Sequence, residues 1–182
     1  MAYDLIRWGL GALLFVILSI ILVRVTKKKG KSLLISSFTA LIVGAVLLLF
    51  PFENLFYSFG TVEDIFSYRH HENFVAAAEC NSGVLTVGND KDGENVYYTF
   101  KKDAGGYKLN EKDNITIRSS THGIYIFANF GNDSIILTYA ENSAYNGENF
   151  TALCDGLSYY ALNDENFSPS KLTSNGEKVN LV

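Results

Sequence analysis

LIRWGLGALLFVILSIILVRVTKKKGKSLLISSFTALIVGAVLLLFPF, residues 5–52, decides what kind of protein this is. Sixteen uncharged residues run from Trp8 to Val23. A basic link follows, Thr26-Lys27-Lys28-Lys29-Gly30-Lys31, and then twenty-one uncharged residues from Ser32 to Phe52. At about 1.5 Å of rise per helical residue, the second run matches the roughly 30 Å apolar core of a bilayer. The first does so over Leu5–Val25 once the aliphatic stems of Arg7 and Arg24 carry their guanidinium groups to the interface. Both runs are apolar on every face, so a soluble helical hairpin would leave nothing to meet water. A cleaved signal peptide would carry its basic residues ahead of the apolar core, whereas here they follow it. The sequence therefore predicts two transmembrane helices, at about 5–25 and 32–52, with the bilayer as the first partner.

Orientation follows from the link at 26–31, whose lysines stay cytoplasmic under the positive-inside bias. Both termini are then extracytoplasmic in a two-span protein of the cell membrane. Trp8 at one end and Phe50, Phe52, Phe56 and Tyr57 at the other suit the outer interface, where amphipathic rings settle. Neither span carries an ionisable residue at its middle, the usual mark of an ion path or proton relay, and this argues against a channel or transporter. Ser19, Ser36, Ser37, Thr39 and the glycines at 9, 11 and 44 let the two helices approach closely.

Charge divides where hydropathy does. From Glu53 onward the chain holds nine basic and eighteen acidic residues, a formal −9. Affinity for polyphosphate rests on clustered Lys and Arg, so nucleic acid is excluded as a partner.

Working outward from the membrane, Thr61 is placed to cap a short helix with Glu63 and Asp64 near its positive end, and Val62, Ile65 and Phe66 give it an apolar side. Beyond Asn73 the period becomes two. Strands are expected at 74–80, 84–87, 96–101, 107–109, 115–118, 124–130, 134–140 and 157–162. The turns between them are Asn81-Ser82-Gly83, Asp92-Gly93, Ala104-Gly105-Gly106, Gly131-Asn132-Asp133 and Asn146-Gly147. No gap is long enough for crossover helices, so the strands form consecutive antiparallel hairpins. The hairpin 124–130/134–140 carries apolar groups on both faces and belongs at the centre of the sheet, covered on each side. The predicted class is α+β: a transmembrane helical hairpin (1–52), a mostly antiparallel β-meander with one short N-terminal helix (53–162), and a polar tail (163–182).

Chemistry-bearing residues are few. Cys80 and Cys154 fall in the extracytoplasmic segment, where a disulfide closing a loop of about 74 residues would stabilise by roughly 4 kcal/mol, and where two small buried thiols are the plainer alternative. Arg69-His70-His71-Glu72 is the densest set of potential metal ligands, with His122 a distant third. Adjacent histidines point to different sides of a helix or strand, so spacing alone does not make them chelate one ion. Asp90-Lys91-Asp92-Gly93-Glu94 lacks the ligand alternation of a calcium loop and fits a hairpin turn. Asn-x-Ser/Thr triplets begin at Asn114, Asn132, Asn149 and Asn166. Eleven tyrosines can pair across strands or form a recognition surface. No residue is assigned a catalytic or cofactor role.

The runs Phe50-Pro51-Phe52-Glu53-Asn54-Leu55-Phe56-Tyr57, Val62-Glu63-Asp64-Ile65-Phe66-Ser67-Tyr68, Tyr97-Tyr98-Thr99-Phe100 and Gly123-Ile124-Tyr125-Ile126 resemble small membrane-anchored exterior proteins of Gram-positive bacteria. The resemblance implies a cell-surface location and carries no active-site residue across. The expected function is non-catalytic: an anchored module that binds a protein, peptide or envelope component through edge strands or aromatic faces. Two other readings compete with it. One is a metal-dependent or enzymatic exterior domain using His70, His71 and His122. In the other, the hairpin is itself the working membrane part of a transport or immunity complex.

Overall fold

The computed structural model of the chain describes residues 2–26, 29–110, 114–165 and 167–182. It divides into two compact units, Met1–Phe56 with Tyr68–His70, and Tyr57–Ser67 with His71–Val182. In class it is α+β, an N-terminal apolar helix followed by antiparallel sheets.

The helical unit holds α1 (Ala2–Thr26), α2 (Lys29–Leu49) and a 3-10 turn at Phe52–Leu55. Tyr3–Val25 of α1 is long and apolar enough to cross a membrane. Its sole tryptophan, Trp8, is 69% exposed, and Leu13, Val16, Ile20 and Ile21 are exposed with it. The apolar stretch of α2 among the described residues is shorter, Leu34–Val46, so one helix clears the spanning length where the sequence predicts two. The expected second span, 32–52, is trimmed at its far end because Pro51 disfavours helical geometry at Phe50, and the helix stops at Leu49. Ser19 Oγ donates to Ser36 Oγ across the two helices at 3.1 Å, and Ser36 is fully buried. Lys27 and Lys28 of the expected cytoplasmic link lie outside the described residues.

Arg7 is held by the chain just past α2. It is 2% exposed; Nε donates to Glu53 Oε1 at 3.1 Å, and Nη2 donates to Glu53 Oε2 at 2.7 Å and to the Phe50 carbonyl at 3.1 Å. The hydroxyl of Tyr68 donates to the same carboxylate at 3.1 Å. The Tyr3 ring lies between two guanidinium groups, with Arg7 at 4.0 Å and Arg69 at 4.1 Å from its centroid. A buried cation is tolerable only when paired and hydrogen-bonded, and Glu53 with the Phe50 carbonyl meets that condition here.

The β unit contains most of α3 (Val62–Arg69). Thr61 Oγ1 accepts the Asp64 N–H at 3.1 Å, the cap expected from the sequence. Three antiparallel sheets follow. The first is β1 (Asn73–Glu79), β2 (Gly83–Asn89), β3 (Asn95–Asp103) and β4 (Gly106–Leu109), in chain order. The second contains β5 (Ile115–Ser120), β6 (Gly123–Phe130), β7 (Asp133–Thr138), β10 (Thr151–Cys154) and β11 (Leu157–Leu162), in the order β10-β11-β7-β6-β5. The third is β8 (Ser143–Tyr145), β9 (Glu148–Asn149), β12 (Leu172–Ser174) and β13 (Glu177–Lys178), in the order β13-β12-β8-β9.

Strand alternation places the second sheet between two cores. Ile126, Ala128, Ile135, Leu137 and Leu157 meet Ala78, Cys80, Leu85 and Val87 from the first sheet and its β1–β2 turn. Tyr125, Ile136 and Leu162 meet Tyr145, Leu172 and Val179 of the third. Every residue of β7 is buried, so the central hairpin is covered on both faces as its two-sided apolar pattern predicts. Phe66 of α3 packs on the far face of the first sheet, against Phe74 at 5.5 Å and Tyr98 at 5.8 Å.

All eight expected strands form. Residues 163–182, expected as a polar tail, instead supply a 3-10 turn (Pro169–Lys171), β12 and β13, with Leu172 and Val179 buried. The chain also leaves the meander after β7: β8 and β9 join the third sheet before β11 returns beside β7.

Candidate functional site: a cationic cleft beside β5

A cleft of about 750 Å³ opens in the β unit between the β5–β6 end of the second sheet and the segment 167–181. Register fixes what β5 and β6 contribute: Thr116 lies opposite Phe127 and Arg118 opposite Tyr125, so Thr116, Arg118 and Phe127 share one face. Phe127 meets Phe167 at 4.8 Å and Phe167 meets Tyr145 at 5.8 Å, an aromatic floor that runs into the second core. The Tyr145 hydroxyl accepts the Ser168 N–H at 2.9 Å and pins the wall that carries Pro169 and Ser170. Asn114, Asn129, Ser134 and Asn180 add neutral hydrogen-bonding groups.

The electrostatics of the cleft invert those of the unit around it. Its charged lining consists of Arg118 and Lys178, both exposed, and among the described residues it contains no carboxylate. Three other cations of the unit are paired with acids: Lys102 with Glu79 at 2.5 Å, Lys108 with Asp103 at 2.6 Å, and Lys171 with Glu165.

One wall is an open sheet edge. Asn129 N–H bonds the Asn114 carbonyl at 3.2 Å, which makes that pair the hydrogen-bonded type. By alternation Thr116 and Arg118 also bond inward to β6, while the backbone groups of Ile115, Ile117 and Ser119 point away from the sheet. Among the described residues one bond is given to that outer edge, from Val182 N–H to the Ser119 carbonyl at 2.9 Å. On the face opposite the cleft, Ile117 is 60% and Ile124 47% exposed.

The residues singled out from the sequence do not gather here. Cys80 is buried and Cys154 half-buried, both packed in the first core as free thiols. Burial pushes both thiols above their usual range, which disfavours the reactive thiolate. His70 belongs to the helical unit and His71 to the β unit; His122 sits in the β5–β6 turn with Nε2 3.9 Å from Glu177. No group of three or more His, Cys, Asp or Glu able to hold a metal occurs among the described residues. Asp90 Oδ1 accepts the N–H groups of Asp92 and Glu94, each at 2.9 Å, so this acidic run is a side-chain-capped turn. Tyr97 and Tyr139 pair through their hydroxyls at 3.0 Å. Asn114, Asn132 and Asn149 are exposed, and Asn166 lies outside the described residues.

Sequence reasoning did not single out Arg118, Phe127, Phe167 or Lys178. The signal for the first two was present: a cation on a strand whose partner sets the aromatics Tyr125 and Phe127 on the same face. Phe167 and Lys178 lie in the segment without periodicity, where nothing marks them. Comparison of the chain with protein-family models, curated proteins and solved structures finds no match to any of them.

Proposed function

We propose that the chain is a membrane-anchored, non-catalytic binding module that takes a protein, peptide or envelope component at the extracytoplasmic face, in the cleft beside β5. The observation that carries this reading is the pairing of an aromatic floor, Phe127 and Phe167, with two cations and no described carboxylate. A concave site that sets hydrogen-bonding and charged groups around an apolar floor offers a ligand both burial and orientation.

In this reading α1 crosses the bilayer and α2 returns across it, its 21 residues rising about 31 Å. The Arg7 bonds to Phe50 and Glu53 support a return, since they join the start of α1 to the chain just past α2. The basic link at 26–31 stays cytoplasmic and both termini lie outside, in the manner of the Gram-positive exterior proteins that the sequence resembles.

A photo-crosslinking residue at Thr116 in living cells should yield a defined adduct, and the same residue at Lys91, away from the cleft, should not. Protease added outside intact cells should remove the β unit. An uncrosslinked Thr116 position would overturn the cleft, and a β unit protected until the cells are lysed would overturn the orientation.

A further inference from the structure

We infer that the cleft captures an extended peptide by strand addition to β5, and that the peptide alternates apolar with acidic side chains. This rests on the cleft being the binding site and names its ligand class.

Three observations meet at one edge. The backbone N–H and C=O groups of Ile115 and Ile117, with the Ser119 N–H, face outward from the last strand of the second sheet. Such a row is a template for a further strand, and native edges are usually blunted by proline, a bulge or a covering loop. β5 has neither proline nor a register shift. The bond from Val182 to Ser119 shows the edge accepting a backbone N–H from a neighbouring segment, and the positions beyond it, Ile117 and Ile115, continue the same row.

Side-chain chemistry then selects the peptide. Successive residues of an added strand project to opposite faces. On one face they meet Ile117 and Ile124, both well exposed and apolar. On the other they enter the cleft and meet Arg118 and Lys178. A strand reading apolar-acidic-apolar-acidic satisfies both faces at once, with backbone bonds giving affinity and the alternation giving specificity. Charge also disfavours a second copy of this chain pairing β5 to β5, because each strand would bring its own Arg118 to the shared edge.

The test uses the full chain in nanodiscs of phosphatidylcholine, whose headgroup carries no net charge. The probe is a fluorescently labelled eight-residue peptide of alternating valine and glutamate, and the control replaces glutamate with glutamine. The acidic peptide should bind at least tenfold more tightly than the control. Ile117→Pro removes an outward N–H that the β5–β6 ladder does not use, so the unit should keep its melting temperature while affinity falls at least tenfold. Arg118→Glu combined with Lys178→Glu should abolish the preference for glutamate, and hydrogen exchange at the Ile115 and Ile117 amides should slow when the peptide is bound. Binding that survives Ile117→Pro but needs the two cations would mean anion capture without strand addition and would overturn the inference, as would a peptide-free mass that Ile117→Pro halves, since the edge would then hold a second copy. Failure of every peptide while the Thr116 crosslink persists overturns the strand and spares the cleft; loss of the crosslink overturns both.

Discussion

Asp133 is 1% exposed, yet it carries a carboxylate. Its Oδ2 accepts the Ser82 hydroxyl at 2.5 Å and its Oδ1 the Asp164 N–H at 2.7 Å, so one side chain fastens the β1–β2 turn and the start of the C-terminal segment to β7. These bonds hold its carboxyl below the ordinary range. A depressed folded value means stability that is present above the unfolded pKa, near 4, and lost as pH falls through the folded value. Acid denaturation of the β unit should therefore steepen below about pH 4, and Asp133→Ala should flatten that limb. At neutral pH the same substitution leaves two donors without partners and should cost about 1–3 kcal/mol in urea unfolding. Arg7 and Glu53 form the helical unit's counterpart. Breaking a buried ion pair by removing one partner typically costs 3–5 kcal/mol, so Arg7→Ala should loosen the helical unit on that order, read as the sodium dodecyl sulfate fraction needed to separate α1 from α2.

Among the elements, α3 depends on a missing side chain in β2. A Cβ at Gly88 would come within 2.5 Å of Phe66 Cζ and 3.1 Å of the Asn73 carbonyl oxygen. Gly88→Ala should push Phe66 off the sheet and lower the melting free energy by about 1–3 kcal/mol, the usual range for overpacking, with the near-ultraviolet signal of the Phe66–Phe74–Tyr98 group altered in step. What the sequence made legible at this scale follows from its periods. The Thr61 cap, the eight strands and the two-sided 124–130/134–140 hairpin all carry strong local signals: a capping oxygen, two-residue alternation and Gly or Asn turns. β8, β9, β12 and β13 are two or three residues long, too short to show any period, and form because Tyr145, Leu172 and Val179 find a ready apolar face on the second sheet. The same shortness hid Phe167 and Lys178, and with them half of the cleft. The Arg7 partner was hidden for a different reason: a cation in an apolar run carries no local mark of what it pairs with, and Glu53 lies 46 positions away.

For the molecule as a whole, the central sheet serves two cores at once. Leu137 points into one and Ile136 into the other, and both are fully buried. Leu137→Ala and Ile136→Ala should each cost about 2–5 kcal/mol, and each should weaken the whole β unit in a single transition, seen as coincident exchange of β2 and β12 amides. Replacing residues 1–52 with an unrelated two-span anchor should leave peptide binding by the β unit intact if recognition resides in the cleft; loss of binding would favour the helices as the working part. The chain's single indole sits on α1 at Trp8, apart from the eleven phenols, most of which lie in the sheets. Emission excited at 295 nm therefore comes from the anchor alone, so brominated acyl chains should quench it by depth while the β unit contributes nothing. A denaturation followed at that wavelength would read the helices, and one followed by tyrosine absorbance would chiefly read the sheets, giving the two units separate optical channels without any added label.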